Sequence, residues 1–244
     1  MTTFDIRDHF KKVDVLDKGF VELIDGMVTE PCLKVVNAAR VSYDKESKEL
    51  SDKDIKLVSF LMNAGHYSTF RHSYFSFRIH MPLFVAKQAW KYQIGSSWSE
   101  DDTLGGSIEI PDTSWNEQSF RYVEFKKQYH IPTTLRKQSK INKQGSEGSV
   151  DAEINERLIN KYVERCNESF DLYDEMVQMG VAKEQARLVL PASVYTQCIW
   201  TLSLQSLLHF FSQRLKEDAQ FEIREYAQAM KQLMIPVMGE DILK

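Results

Sequence analysis

The chain has 244 residues, of which 43% are hydrophobic and 27% are charged, and its formal net charge is −4. This length and balance predict one folded domain over residues 1–244, and the acidic pI of about 5.9 argues against a nucleic-acid-binding protein. Three widely spaced cysteines argue against disulfides and against a metal site. No apolar stretch reaches the ~18–20 residues of a membrane span, so we expect a cytoplasmic protein.

Helical and strand patterns alternate in the first half of the chain. Residues 51–66 predict a helix that begins with an S-x-x-D capping box. Residues 75–81 alternate apolar and polar side chains, which is typical of a strand with one buried face. Pro82 suits the first turn of a helix over residues 83–90, and Gly95 would end that helix.

The second half of the chain is mainly helical in pattern. Residues 97–114 are acidic and contain glycine, which predicts an insertion loop, and the polar residues 136–149 predict a loop or linker. Helices are predicted for residues 151–179, 182–190 and 193–234, the last range being broken near residues 216–218. These elements predict an α+β fold, in which helices wrap an antiparallel or mixed sheet and the C-terminal part is helical.

Glu117, Ser119 and Arg121 are spaced two residues apart. In an extended segment their side chains point to one face, where the arginine fork could bind a phosphate or carboxylate. The alternative is ordinary polar alternation on a half-solvated strand.

Arg214 lies on the apolar face of a predicted helix, where an arginine is costly unless it has a partner. It could bind a ligand, or it could pair with Glu217 or Asp218. Arg187 precedes an apolar stretch and could be a ligand-binding residue or a surface cation. The sequence has no glycine-rich phosphate loop and no zinc-type histidine spacing. The residues alone therefore predict no more than binding of a small anion through Ser119, Arg121, Arg187 and Arg214.

Five sequence blocks carry a family resemblance. In chain order they are Gly65–His72, Phe84–Gln88, Asn116–Tyr122, Ala186–Pro191, and Gln213-Arg214 together with Ala219–Ile223. Together they resemble the flavin-dependent thymidylate synthases over nearly the whole chain. The serine and arginine of the family signature are present as Ser119-Phe120-Arg121. The Arg-His-Arg part of the signature reads Lys91-Tyr92-Gln93 here, and the insertion at 97–114 separates the two parts.

The resemblance implies a homotetramer with shared active sites that converts dUMP to dTMP. Methylenetetrahydrofolate would donate the carbon, FAD would be the cofactor, NADPH would reduce it, and Arg214 would be catalytic. The implied dUMP-binding residues are Gln88, Glu117, Gln118, Ser119, Arg121, Arg187 and Arg214. The implied FAD-binding residues are Ser68, Lys91, Tyr92, Gln93, Glu117, Ser203, Gln205 and His209.

Two other functions remain open at this level. One is a related transfer to a pyrimidine nucleotide, such as hydroxymethylation, and the other is nucleotide binding without catalysis. The insertion at residues 97–114 would lie at the mouth of the site, as a lid or as an inert surface excursion or subunit contact.

Overall fold

The computed structural model describes residues 11–92, 97–101, 107–111, 114–121, 126–143 and 145–243, with the backbone alone for 97–101, 107–111 and 241. The strands are β1 Lys12–Val15, β2 Gly19–Gly26, β3 Tyr74–Pro82, β4 Ser97–Asp101, β5 Ser107–Pro111, β6 Trp115–Glu117, β7 Arg136–Gln138, β8 Ser146–Ser149 and β9 Tyr195–Ser203. The helices are α1 Pro31–Arg40, α2 Asp52–Asn63, α3 Leu83–Ala89, α4 Ala152–Gln178, α5 Lys183–Ala186, α6 Leu204–Arg214 and α7 Phe221–Met238. Short 3₁₀ turns lie at Val41–Tyr43, Tyr67–His72, Arg187–Val189 and Glu240–Ile242.

An antiparallel sheet with the strand order β1-β2-β3-β9-β6 forms the centre of the fold. β9 pairs with β3 from Tyr195 to Ser203, so every residue of β9 has a partner there. One face of the sheet is apolar and packs against α6, α7 and α3. At its centre Trp200 is fully buried, with ring centroids 5.4 Å from Trp115 and 5.3 Å from Phe210. The α+β class and the antiparallel sheet are therefore confirmed.

The opposite face of the sheet is more polar and more exposed. Arg78 and Glu22 form an ion pair across β3 and β2 at 2.9 Å. Ile199, their neighbour on β9, is 43% exposed. At one end of the sheet α4 packs over a second, smaller core with Tyr129, Phe170 and Val194. Within the described ranges, no helix combines the length and apolarity that a membrane crossing requires.

Several predicted elements are confirmed with small shifts at their ends. The helix predicted for 51–66 is α2, and the capping box between Ser51 and Asp54 forms at its start. The strand predicted for 75–81 is β3, and the helix predicted for 151–179 is α4. The break near residues 216–218 separates α6 from α7.

The prediction of a helix from residue 193 was wrong, because Tyr195–Ser203 is the strand β9. The β-branched and aromatic residues of this segment alternate between the two faces of the sheet. The helix α6 follows without a glycine or proline, and its N-cap is Ser203, whose Oγ accepts the N–H of Ser206 at 3.2 Å. The missing break explains why the strand and the helix look continuous in the sequence.

Other boundaries also differ from the predictions. Pro82 is the last residue of β3 rather than part of the helical first turn, and the helix predicted for 182–190 ends at Ala186. Residues 136–149 are not a simple loop, because β7 and β8 pair as an antiparallel hairpin. In the insertion, β4 and β5 also pair with each other. Gly95 lies outside the described residues.

The carboxylate of Asp17, in the turn between β1 and β2, fixes one end of the sheet. It accepts hydrogen bonds from the Tyr195 hydroxyl at 2.6 Å, from Nδ1 of His130 at 2.6 Å and from the backbone N–H of Ile131 at 3.2 Å. Lys18 also bonds to it. Burial opposes the charge, but the hydrogen bonds hold the pKa of Asp17 well below its ordinary value of 3.8.

Stability is expected to depend on the charge of Asp17. Because the folded pKa is depressed, its contribution is present above pH ~4 and is lost as pH falls below that value. Asp17→Asn should lower the free energy of unfolding at pH 7 by about 1–3 kcal/mol. Urea unfolding at several pH values should show this difference shrinking below pH ~4. Asp14→Asn, at a side chain that is 86% exposed, is the control, and parallel pH curves for wild type and Asp17→Asn would contradict the expectation.

Candidate active site

The ring of Tyr92, just after α3, brings together three of the predicted site residues. The guanidinium carbon Cζ of Arg214 lies 4.5 Å from the ring centroid of Tyr92. The imidazole of His209 is tilted against the same ring, with centroids 6.0 Å apart. A cation over an aromatic face is attracted to the negative face of the ring. Tyr92 therefore stabilises the charge of Arg214 and helps to fix its position.

The electrostatic setting of Arg214 differs from that of a surface ion pair. Burial lowers the pKa of its guanidinium, and Asp218 opposes this through charge attraction without a hydrogen bond. Nε of Arg214 is buried and has no hydrogen-bond partner within the described part of the chain. A buried donor without a partner is costly, so such an atom is suited to a ligand that brings an acceptor.

A second group of predicted residues lines a cavity of about 430 Å³ between α2 and α6. Gln205 and His209 contribute to its wall, and Oε1 of Gln205 accepts a hydrogen bond from Nε of Arg71 at 2.6 Å. Ser203 is buried and caps α6, so its hydroxyl is already engaged. Ser68 is exposed in the neighbouring 3₁₀ turn. The lining residues are Met62, Tyr67, Phe70, Gln205, Leu208, His209 and Ser212.

Glu117 ends the edge strand β6. Its Oε1 accepts a hydrogen bond from the Thr196 hydroxyl at 2.9 Å, and its Oε2 accepts one from the indole N–H of Trp115 at 3.4 Å. The backbone N–H of Gln118 bonds to the carbonyl of Gln197 at 2.8 Å. These contacts hold Glu117 beside β9.

The predicted common face of Glu117, Ser119 and Arg121 does not form. The strand ends at Glu117, and the hydroxyl of Ser119 then accepts the backbone N–H of Arg121 at 3.4 Å, as in a local turn. This serine-to-backbone contact replaces the extended conformation that the alternation predicted. The strand alternation that would place all three side chains on one face therefore stops at Glu117.

Glu117 and Gln118 line a groove of about 790 Å³ beside the exposed sheet face. Its wall includes Lys12, Lys18 and Lys126, which suit an anionic ligand. These lysines belong to no sequence motif, and Lys126 lies far along the chain from Lys12 and Lys18. The fold brings them together, because the segment after residue 126 lies beside the start of β9, where Tyr195 N–H donates to the Gln128 carbonyl, and Nζ of Lys18 donates to the carbonyl of Tyr129 at 3.1 Å.

The remaining predicted residues lie elsewhere on the chain. Gln88 in α3 donates from Nε2 to Oε1 of Gln220 at 2.6 Å. Arg187 is exposed and donates from Nε to the carbonyl of Glu184 at 3.2 Å, and Lys91 is also exposed. Gln93 lies outside the described residues.

The fold is similar to that of a known nucleotide methylase. It is similar to a solved structure of the UMP/dUMP methylase PolB from Streptomyces cacaoi bound with 5-Br dUMP, with a TM-score of 0.75 and 26% identity. The similarity covers 95% of this chain and 95% of that one.

Comparison with known sequences gives the family. Residues 22–239 match the family described as thymidylate synthase complementing protein. Flavin-dependent thymidylate synthases from Kosmotoga olearia and Thermotoga neapolitana are 36% and 37% identical to the chain, over 91% of its length in each case and over 87% and 88% of theirs. The chain therefore belongs to the flavin-dependent thymidylate synthase family, and the resemblance noted in its sequence blocks is confirmed.

Proposed function

We propose that this protein is a thymidylate synthase that converts dUMP to dTMP with methylenetetrahydrofolate as the carbon donor. In a chain of this family, the observation that carries the proposal is the position of Arg214. Its guanidinium lies over the ring of Tyr92, and its buried Nε has no hydrogen-bond partner in the described part of the chain, so a ligand could supply the acceptor. When bound, FAD reduced by NADPH supplies the hydride that completes the new methyl group. The likeness to a structure described with bound 5-Br dUMP supports a pyrimidine nucleotide as substrate.

Arg214 has a clear chemical task in this reaction. Carbon C5 of uracil must become nucleophilic, and a fixed cation at the edge of the ring favours the electron-rich form that has lost the N3 proton. The guanidinium remains charged even though burial lowers its pKa, because an arginine starts from so high a value. Tyr92 keeps it in one position, so it is preorganised for this charge.

FAD fits the residues that surround Tyr92. The cavity beside α6 offers the amide of Gln205 and the imidazole of His209 as hydrogen-bonding groups. Lys91 adds an exposed positive charge next to Tyr92. Ser203 would contribute through its place at the start of α6, because its hydroxyl already bonds to the backbone there.

The nucleotide site is proposed to use Gln88, Glu117, Gln118, Ser119, Arg121 and Arg187 together with Arg214. In the single chain these residues lie in separate regions, Glu117 beside β9, Gln88 beside Gln220 and Arg187 at the surface. A homotetramer in which neighbouring subunits complete each site would bring them together. The sheet face with the exposed Ile199 is a surface available for such contacts.

Two measurements on the purified protein test the proposed function. FAD titration should saturate, and Tyr92→Leu should weaken FAD binding by about tenfold because the ring that carries Arg214 and His209 is lost. Tyr43→Leu, at a residue that is 76% exposed, should leave binding unchanged. Incubation with dUMP, methylenetetrahydrofolate, NADPH and FAD should give dTMP.

The product distinguishes the proposed reaction from its alternatives. A hydroxymethylated nucleotide would indicate that water rather than hydride completes the transfer. Absence of product together with tight dUMP binding would indicate a nucleotide-binding protein. No saturable FAD binding at high micromolar concentration would exclude a flavoenzyme.

A further inference from the structure

A chain of hydrogen-bonded side chains connects Arg136, in the hairpin β7–β8, to Gln88 in α3. Nη2 of Arg136 donates to Oε1 and Oε2 of Glu222 at 2.8 and 3.0 Å. Nε2 of Gln220 donates to Oε2 of Glu222 at 2.8 Å, and Oε1 of Gln220 accepts from Nε2 of Gln88 at 2.6 Å. We refer to Arg136, Glu222, Gln220 and Gln88 as the relay.

Glu222 is the anchor of the relay. It is only 5% exposed, and burial alone would raise its pKa. The hydrogen bonds from Arg136 and Gln220 outweigh burial and bring the pKa of Glu222 below its ordinary value. Arg136 is itself held by a bond from its Nε to the Ser146 hydroxyl at 3.0 Å and by the ring of Phe221 at 5.2 Å.

The charge of Glu222 gives the relay a direction. An ionised carboxylate only accepts hydrogen bonds, so Gln220 must turn its NH₂ group towards Glu222. Its carbonyl oxygen then faces Gln88, which must in turn use its own NH₂ group. The carbonyl oxygen of Gln88 is therefore directed away from the relay.

We propose that Glu222 is a positioning residue that acts through Gln220 to make Gln88 present its carbonyl oxygen to the bound nucleotide. The inference rests on the proposed function, which places Gln88 in the dUMP site. A carbonyl acceptor complements a donor on the ligand, such as the N3–H of uracil or a sugar hydroxyl. A phosphate dianion has no such donor, so Gln88 recognises the nucleoside part of dUMP.

Glu222→Gln tests this direction with little change in shape. The charged Arg136 is expected to take the new carbonyl oxygen, which turns the new NH₂ group towards Gln220 and inverts the relay. Binding of dUMP should weaken by about five- to tenfold, since one hydrogen bond of Gln88 is lost. Gln220→Leu, which removes the middle of the relay, should have a similar effect without touching the buried carboxylate.

A double-mutant cycle separates positioning from general stability. Gln88→Ala should weaken dUMP binding, and adding Glu222→Gln to it should cause no further loss, because the two residues act on the same contact. The losses should be the same for deoxyuridine, which has no phosphate. Glu168→Gln is the matched control, since Glu168 is paired with Arg165 in an exposed ion pair on α4. It should leave dUMP binding unchanged.

Two results of the binding measurements would overturn the relay. One is additive loss in the double variant, and the other is normal dUMP binding in folded Gln220→Leu. Independently of nucleotide binding, the side-chain amide NMR signals of Gln88 should shift in ligand-free Glu222→Gln, and unchanged signals would also overturn it. If the Gln88 signals shift in Glu222→Gln but the wild-type protein binds no dUMP, the proposed function fails, while the effect of Glu222 on the orientation of the Gln88 amide stands.

Discussion

Replacing Arg214 by alanine is expected to lower the rate of dTMP formation by about 10²–10³-fold, the usual cost of losing a preorganised group that stabilises charge in a transition state. The fold should survive, because the substitution removes the contact of the guanidinium with Tyr92 but breaks no hydrogen bond of Nε in the described structure. Turnover and thermal unfolding should be measured on the same preparations. The two readouts separate a catalytic role from a structural one.

Arg224→Ala provides the matched control for this substitution. Arg224, on α7, donates from Nη1 to the carbonyl of Glu217 at 2.8 Å and lies outside the proposed site. The Arg224→Ala variant should therefore keep wild-type turnover. A folded Arg214→Ala protein with near wild-type turnover would show that the catalytic assignment is wrong.

Gly19→Ala is expected to reduce the free energy of unfolding by about 2–3 kcal/mol or more, as overpacking against a rigid backbone does. A Cβ atom at residue 19 would lie 1.9 Å from the Tyr226 hydroxyl, 2.7 Å from the carbonyl oxygen of His80 and 2.9 Å from that of Val15. The tyrosine hydroxyl donates to the same His80 carbonyl at 2.8 Å, so α7 packs directly against the start of β2. Urea unfolding at neutral pH measures the loss.

Two further variants test the cause of that loss. Gly145→Ala is the control, since its Cβ would meet only the side chain of Asn142 at 3.2 Å and more, and that side chain can move. Adding Tyr226→Phe to Gly19→Ala removes the closest atom and should restore part of the stability. No recovery in the double variant would place the strain at the two carbonyl oxygens.

The sequence predicted correctly those elements whose signal lies in neighbouring residues of the chain. The alternation over residues 75–81 identified β3, and the cap at Ser51 identified α2, because each pattern follows from neighbours in the chain. The strand β9 was missed because its environment is set by distant residues. Its partners on β3 lie more than a hundred residues earlier in the sequence, for example Ile79 beside Cys198.

At the candidate site, too, residue identities could be predicted from the sequence, but contacts between distant residues could not. The family resemblance implied roles for Tyr92, His209 and Arg214, and the structure brings these three together around one ring. No spacing rule could show that contact, since Tyr92 lies more than a hundred residues before His209 and Arg214 in the sequence. The extended face of Glu117, Ser119 and Arg121 failed for a local reason, the hydrogen bond from the Arg121 N–H to the Ser119 hydroxyl.

The position of β9 determines the order in which the sheet can be completed on the ribosome. β1, β2 and β3 are antiparallel neighbours and can pair once residue 82 has been synthesised. β6 pairs with β9 in the described structure, and the Glu117 carboxylate meets Thr196 only across that pairing. The segment carrying Glu117 must therefore wait, without its strand partner, until residues 195–203 leave the exit tunnel. Chains truncated before residue 195 should display β3 as an open edge, because β9, the interior strand that covers β3, is the last of the five to be synthesised, and an open edge favours aggregation of the nascent chain.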